Sequence, residues 1–209
     1  MKVNEIFFSL QGEGVLTGWP TVFVRFTGCN LSCSYCDTSY ARHEGKQYLP
    51  TEIVKEIAKF DCKRVCLTGG EPLLQKDFIE LLILLKDYRV SIETNGSISV
   101  KEFMLFSGHT INMDVKAPSS GENKSIYQDN MNYLREDDEI KFVLASNKDY
   151  LWAKEFIANY YQKGLITFSP VFGVLSPDKL AAWVLEDKLD VRVQVQLHKI
   201  IWGPDKKGV

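Results

Sequence analysis

The sequence lacks a long apolar run, an excess of positive charge and an even set of spaced cysteines. Its longest apolar stretch, Phe78 to Leu85, is broken by Glu80 and falls far short of the ~18 residues that span a bilayer. The N-terminus opens on a strand-like alternation rather than a basic segment followed by an apolar one, so no secretory leader is expected. Lys and Arg number 25 against 27 Asp and Glu, a formal net charge of −2. That balance argues against a basic tract for nucleic acid and leaves room for a small anionic ligand held by one or two arginines. The 5 cysteines are an odd number, and Cys29, Cys33 and Cys36 crowd into one short stretch, which suits a metal site better than a disulfide framework. A reducing, cytoplasmic setting with neither membrane nor direct nucleic-acid partner follows as the expectation. At 209 residues with 45% hydrophobic content, the chain is expected to form a single domain, 1–209, with residues 203–209 as a flexible tail unless tied down.

Strand and helix patterns alternate along the chain. An opening strand is followed by a β-rich segment, Thr21 to Thr27, which delivers the chain to Gly28 and Cys29. Leu49-Pro50-Thr51 opens a helix with Ile53, Val54, Ile57 and Ala58 on one face. Strands are expected at Arg64–Leu67, Arg89–Glu93, Thr110–Val115, Glu139–Ala145, Leu165–Phe168 and Val191–Leu197. Helices are expected at Lys76–Lys86, Val100–Phe106, Lys148–Gln162 and Asp178–Glu186, with Ser119–Arg135 as a loop carrying a short helix or an insertion. Such alternation implies parallel strands with helical crossovers, an α/β barrel or open sheet. The polar and glycine-rich motifs all follow strands, where such folds gather one ligand face.

Cys29-Asn30-Leu31-Ser32-Cys33-Ser34-Tyr35-Cys36 is a C-x3-C-x2-C loop whose thiolates can converge on one centre. A cubane cluster held by three protein thiolates keeps an iron open to another ligand. A structural zinc ion wants a fourth protein ligand, which His43 can supply, so zinc stays open at this point. Thr68-Gly69-Gly70-Glu71-Pro72 ends one strand, where glycines permit close backbone approach and Glu71 can accept from an ammonium group. Glu93, Asp114 and Lys116 end the next two strands. Cys62 and Cys66 repeat a C-x3-C spacing but read as non-ligands, with Cys66 packed into apolar surroundings beside Val65 and Leu67.

The cysteine loop, with Tyr35 before its last cysteine and the GGEP segment downstream, resembles the radical S-adenosylmethionine superfamily. That resemblance implies a trimmed, partial (β/α) barrel, a [4Fe–4S] cluster on Cys29, Cys33 and Cys36, and S-adenosylmethionine bound at the open iron. It implies Tyr35 near the adenine, with Gly69, Gly70, Glu71, Asp114 and Lys116 also on the cofactor side; Tyr35 packing on the barrel rim is the plainer alternative. Glu5 to Gly14, Phe23-Val24-Arg25-Phe26, Asp37-Thr38 and Gln196 to Pro204 are similar to the 7-carboxy-7-deazaguanine synthases. This second resemblance implies ring contraction of 6-carboxy-5,6,7,8-tetrahydropterin with loss of ammonia, Mg2+ at Thr38, a reductant such as flavodoxin or ferredoxin, and a homodimer. It places Gln11, Gly12, Glu13, Gly14, Arg25, Asp37, Thr68, Glu93, His198 and Pro204 around the substrate. The Arg25 guanidinium offers a planar fork suited to a carboxylate, and Thr38 a hard oxygen suited to Mg2+. The plainer alternatives are a strand-edge salt bridge for Arg25, a loop cap for Thr38 and a satisfied structural histidine for His198. Some members of that family end near the proline matching Pro204; this chain continues to Val209, so a terminal-carboxylate role is left unassigned. A glycyl-radical-enzyme activase and a zinc-stabilised binding module are the competing readings.

Overall fold

The structure, a computed structural model, describes residues 1–161 and 163–209 and gathers their 9 strands into one sheet. β1 (Lys2–Leu10) and β2 (Pro20–Phe26) run antiparallel, with Glu5 opposite Arg25 and Phe7 opposite Phe23. β3 (Lys46–Gln47) pairs antiparallel with the outer side of β1. Six further strands then add in parallel to β2: β4 (Arg64–Gly69), β5 (Arg89–Thr94), β6 (His109–Asp114), β7 (Glu139–Leu144), β8 (Leu165–Pro170) and β9 (Arg192–Val193). The spatial order β3-β1-β2-β4-β5-β6-β7-β8-β9 leaves β3 and β9 as edges, so this is an open, partial (β/α) barrel, as expected.

Local chemistry starts the helices. α1 (Pro50–Ala58) has proline at its first position, where a missing N–H costs nothing, and the Glu52 carboxylate accepts from the Leu49 N–H at 2.8 Å. α2 (Phe78–Leu84) and α3 (Asn130–Tyr133) are short. α4 (Asn147–Tyr160) begins where the Ser146 hydroxyl accepts from the Asp149 N–H at 3.3 Å, and its expected last residue, Gln162, lies outside the described residues. α5 (Pro177–Glu186) again starts on proline, and α6 (Leu197–Trp202) closes the series. The sheet and helices meet over a core that includes Val24, Ile53, Leu67, Leu81, Ile92, Ile111 and Ile140. Phe142 stands edge-on to Phe168 at 5.4 Å and to Phe156 at 5.7 Å. No helix among the described residues is long and apolar enough to cross a membrane.

Two expected elements differ. Val100–Phe106 forms a single tight turn over Phe103–Leu105 instead of a helix, and Gly108, at φ +89°, then leads the chain into β6. Val191–Leu197 pairs with β8 only at Arg192 and Val193. Gln194 then turns its amide to Gly14 and Thr17, and the Leu197 N–H is donated to the Gly12 carbonyl at 3.0 Å, which starts α6.

Candidate active site

A cavity of about 670 Å³ opens at the C-terminal ends of β2 and β4 to β7. Strand parity decides what faces it. Arg25 lies in register with Thr68, Glu93 with Asn112, and Asp114 with Lys141. Side chains two residues apart on a strand share a face, so Phe23 and Arg25, Cys66 and Thr68, and Lys141 and Val143 all reach the cavity. Cys66 is therefore not packed among apolar side chains as expected. It sits on the cavity floor within 3.5 Å of the Gln11 amide, with its thiol pushed up to about 12, chiefly by burial and then by the Glu93 charge.

Cys29, Cys33 and Cys36 line one wall, all partly exposed. The loop is held open by contacts outside itself: Ser34 donates its N–H to the Ser120 carbonyl at 3.0 Å and its hydroxyl to the Ser119 carbonyl at 2.7 Å. The Asn95 amide lies 3.7 Å from the Cys29 sulfur. Burial pushes the Cys33 thiol up, Lys116 opposes this, and Cys36, Asp114 and Cys29 reinforce it, so the sulfurs sense one another across a shared space. Among the described residues, no three His, Cys, Asp or Glu side chains close around a single ion. His43 is exposed, away from the cavity, and cannot complete a four-donor zinc site from there. Three soft thiols facing one open space fit a cluster with an open iron.

Gly69, which ends β4, and Gly70 line the cavity, and close packing against the cysteine loop also requires them to be glycine. A β-carbon on Gly70 would lie 2.0 Å from the Gly28 carbonyl oxygen, and one on Gly69 would lie 2.3 Å from that of Phe26. They bring β4 against the start of the cysteine loop, where the Glu71 N–H is donated to the Gly28 carbonyl at 2.8 Å. The Glu71 side chain turns away from the cavity and is fully buried. It accepts from Asn95 N at 2.7 Å, Thr94 Oγ1 at 2.9 Å and Leu73 N at 3.0 Å. Burial pushes its pKa up to about 7 against these bonds. Its carboxylate thus braces the β5 loop, a correction to the expected ligand contact.

Across from the cysteines, Lys116 pairs with Asp114 at 2.7 Å, and Lys141 reaches Glu13 at 2.9 Å, Asp114 at 3.2 Å and Glu93 at 3.8 Å. Burial would raise the Asp114 carboxyl, but Lys116 and Lys141 hold it down at about 2. Glu93, with Asn112 donating at 2.8 Å, is pushed up to about 7 by burial despite Lys141. Tyr35 lines the cavity while donating its hydroxyl to the Val143 carbonyl at 3.0 Å, which joins the expected cavity position to the rim contact.

On the remaining side, Arg25 donates through Nε to Glu5 at 2.7 Å. Its terminal amino groups take no protein hydrogen bond among the described residues, so the strand-edge pair and a ligand-facing fork coexist. Asp37 pairs with Lys199 at 2.7 Å, which outweighs burial and holds its carboxyl below the usual range. Thr38 lines the cavity next to Asp37, with its hydroxyl 3.9 Å from the Cys36 sulfur. Burial lowers the His198 imidazole, leaving it neutral at neutral pH. Pro204, Asp205 and Val209 also reach the cavity, and Lys207 lies 4.2 Å from the Tyr40 ring, so contacts tie the terminal segment.

The cavity thus brings together every expected site residue except Gly14 and Glu71. Gly14 serves the turn: its φ is +75°, and Gln194 bonds both its N–H and its carbonyl. Lys141, Asn95, Gln196 and Lys199 line the cavity without having been singled out. A lysine between Ile140 and Phe142 in a buried strand was a readable signal for the first; the others depend on loop packing.

Residues 23–178 match the radical SAM superfamily. Over its full length the chain is 44% identical to the 7-carboxy-7-deazaguanine synthase of Clostridium acetobutylicum, 99% of which is covered. It is likewise 45% identical over its full length to that of Chlorobaculum tepidum, 97% of which is covered. The crystal structure of QueE from Escherichia coli superposes with a TM-score of 0.75 at 21% identity, covering 94% of each chain, a likeness of fold.

Proposed function

The chain belongs to the radical SAM superfamily and, within it, to the 7-carboxy-7-deazaguanine synthases; on that premise we propose how its cavity is divided between cofactor and substrate. The enzyme is a carbon–nitrogen lyase that converts 6-carboxy-5,6,7,8-tetrahydropterin to 7-carboxy-7-deazaguanine, in the biosynthesis of 7-deazapurines of the queuosine type. The observation that carries the division is the meeting of the Cys29, Cys33 and Cys36 thiols with Arg25 and His198 on one cavity.

Cys29, Cys33 and Cys36 would hold the [4Fe–4S] cluster, which with bound S-adenosylmethionine supplies the one-electron chemistry. Tyr35, Gly69, Gly70, Asp114 and Lys116 form the cofactor side. On the other side, Arg25 takes the pterin carboxylate with its free amino groups, and Gln11, Glu13, Thr68, Glu93 and neutral His198 present donors and acceptors to the ring edge. The Thr38 hydroxyl, beside Asp37, suits Mg2+, which keeps waters and takes a substrate carboxylate as a further ligand. Hydrogen loss at the carbon bearing the carboxylate begins the ring contraction, and ammonia leaves. The protein's part is to hold that carbon in place and exclude water. A one-electron donor such as flavodoxin or ferredoxin, a homodimer, one domain over 1–209 and a cytoplasmic setting complete the reading.

The test is anaerobic turnover of reconstituted protein with the pterin, S-adenosylmethionine, Mg2+ and a reductant, read by mass spectrometry. Formation of 7-carboxy-7-deazaguanine, with deuterium passing from that substrate carbon into S-adenosylmethionine, is expected. Cleavage of S-adenosylmethionine without this product would send the substrate assignment elsewhere, toward a polypeptide substrate such as an activase uses.

A further inference from the structure

Lys141 is a charged residue set mid-strand in β7 between Ile140 and Phe142, both fully buried, and its own side chain is 8% exposed. Its ammonium meets carboxylates from separate parts of the chain: Glu13 after β1 at 2.9 Å, Asp114 at the end of β6 at 3.2 Å and Glu93 near the end of β5 at 3.8 Å. Each acid has one other kind of partner. Glu13 accepts from the Gln196 amide at 2.9 Å, Glu93 from Asn112 at 2.8 Å and Gln11 at 3.4 Å, and Asp114 from Lys116 at 2.7 Å. Lys141 is therefore where the acids of the substrate side and the acid of the cofactor side share a countercharge.

We infer that Lys141 is a positioning residue that couples the two halves of the cavity, so that the geometry at Glu13 and Glu93 sets the affinity at Asp114. This rests on the proposed division between substrate and cofactor. The physical reason is that acidic groups gathered around one mostly buried point repel one another when ionised unless a fixed cation lies between them. Burial disfavours the Lys141 ammonium, but Asp114, Glu13 and Glu93 more than compensate and hold its pKa well above the ordinary value. The residue thus stays charged at neutral pH and serves as a fixed strut rather than a proton carrier.

The test is a double-mutant cycle read by binding, without turnover. Equilibrium dialysis of S-adenosylmethionine against cluster-reconstituted, unreduced protein is performed for wild type, Glu13→Gln, Lys141→Met and the double variant. Melting temperatures check that each is folded. Glu13→Gln changes a residue on the pterin side, yet coupling predicts a change in S-adenosylmethionine affinity of about fivefold or more. That change disappears when Lys141 is already methionine, and Lys141→Arg, which keeps the cation, restores it. Additive effects, or a Lys141→Met variant that melts lower but binds with wild-type affinity, overturn the coupling while leaving the functional reading intact. Wild-type protein that binds no S-adenosylmethionine overturns both. If Lys141→Met does not fold, Lys141→Gln repeats the cycle with the same expected loss of coupling.

Discussion

Gly12 and His198 are packed so closely that a β-carbon on the glycine would lie 2.0 Å from the imidazole Nδ1. The Leu197 N–H is donated to the Gly12 carbonyl at 3.0 Å beside them, so the loop after β1 and the start of α6 form one unit. Gly12→Ala must push His198 out of the cavity. A melting-temperature loss equivalent to about 1–3 kcal/mol is expected, together with a raised KM for the pterin. Adding His198→Ala should return the melting temperature but not the KM. A Gly12→Ala protein that melts and turns over like wild type would remove this contact from the argument.

Gly70 offers no such relief. Its missing β-carbon is opposed by the Gly28 carbonyl at 2.0 Å and by the Cys29 β-carbon at 2.9 Å, so Gly70→Ala displaces the cysteine loop itself. Reconstituted Gly70→Ala protein should bind markedly less iron, with the brown absorbance reduced in proportion. Full iron loading in that variant would show that the loop tolerates the shift.

For Arg25 the informative change is to lysine. The salt bridge from Nε to Glu5 at 2.7 Å can survive in some form, whereas the planar fork cannot. KM for the pterin should rise about tenfold or more, with little change in affinity for S-adenosylmethionine. Unchanged KM in Arg25→Lys would leave Arg25 as a strand-edge partner only.

Glu93 makes the stability of the ligand-free protein depend on pH. Its carboxyl, ordinarily near 4.5, is pushed up to about 7 in the fold, so the folded state binds the proton more tightly than the unfolded state. Stability from this group is therefore present at low pH and is lost as pH rises from about 4.5 to about 7. Glu93→Gln should lack that decline and gain on wild type by up to about 3 kcal/mol at pH 8. Asp114, held at about 2, acts in the opposite sense: its contribution is present above its usual 3.8 and is lost as pH falls toward 2. Melting curves of the iron-free proteins across this range test both, and parallel profiles for wild type and Glu93→Gln would refute the assignment.

Much of the site was legible because its parts are local in sequence. The C-x3-C-x2-C loop, the glycines at the end of β4 and the acids at strand ends needed only the rule that binding loops follow strands. What misled was direction. Cys66 reads as a core residue beside Val65 and Leu67, yet it shares the strand parity of Thr68 and so faces the cavity. Glu71 reads as a ligand, yet donors from Leu73, Thr94 and Asn95 turn it inward. Val191–Leu197 reads as a strand because its residues favour one, but contacts with Gly12 and Gly14 end the pairing early.

Sequence by itself determined the alternation of strands and helices, the family and the placing of Cys29, Cys33 and Cys36 on one loop, since motif spacing and hydrophobic period are properties of neighbouring residues. Only the tertiary structure decided that Lys141 stands among Glu13, Glu93 and Asp114, and that Gly12 makes room for His198. Those contacts join residues far apart in the chain, and their distances follow from strand register and loop closure, which exist only once the sheet has formed.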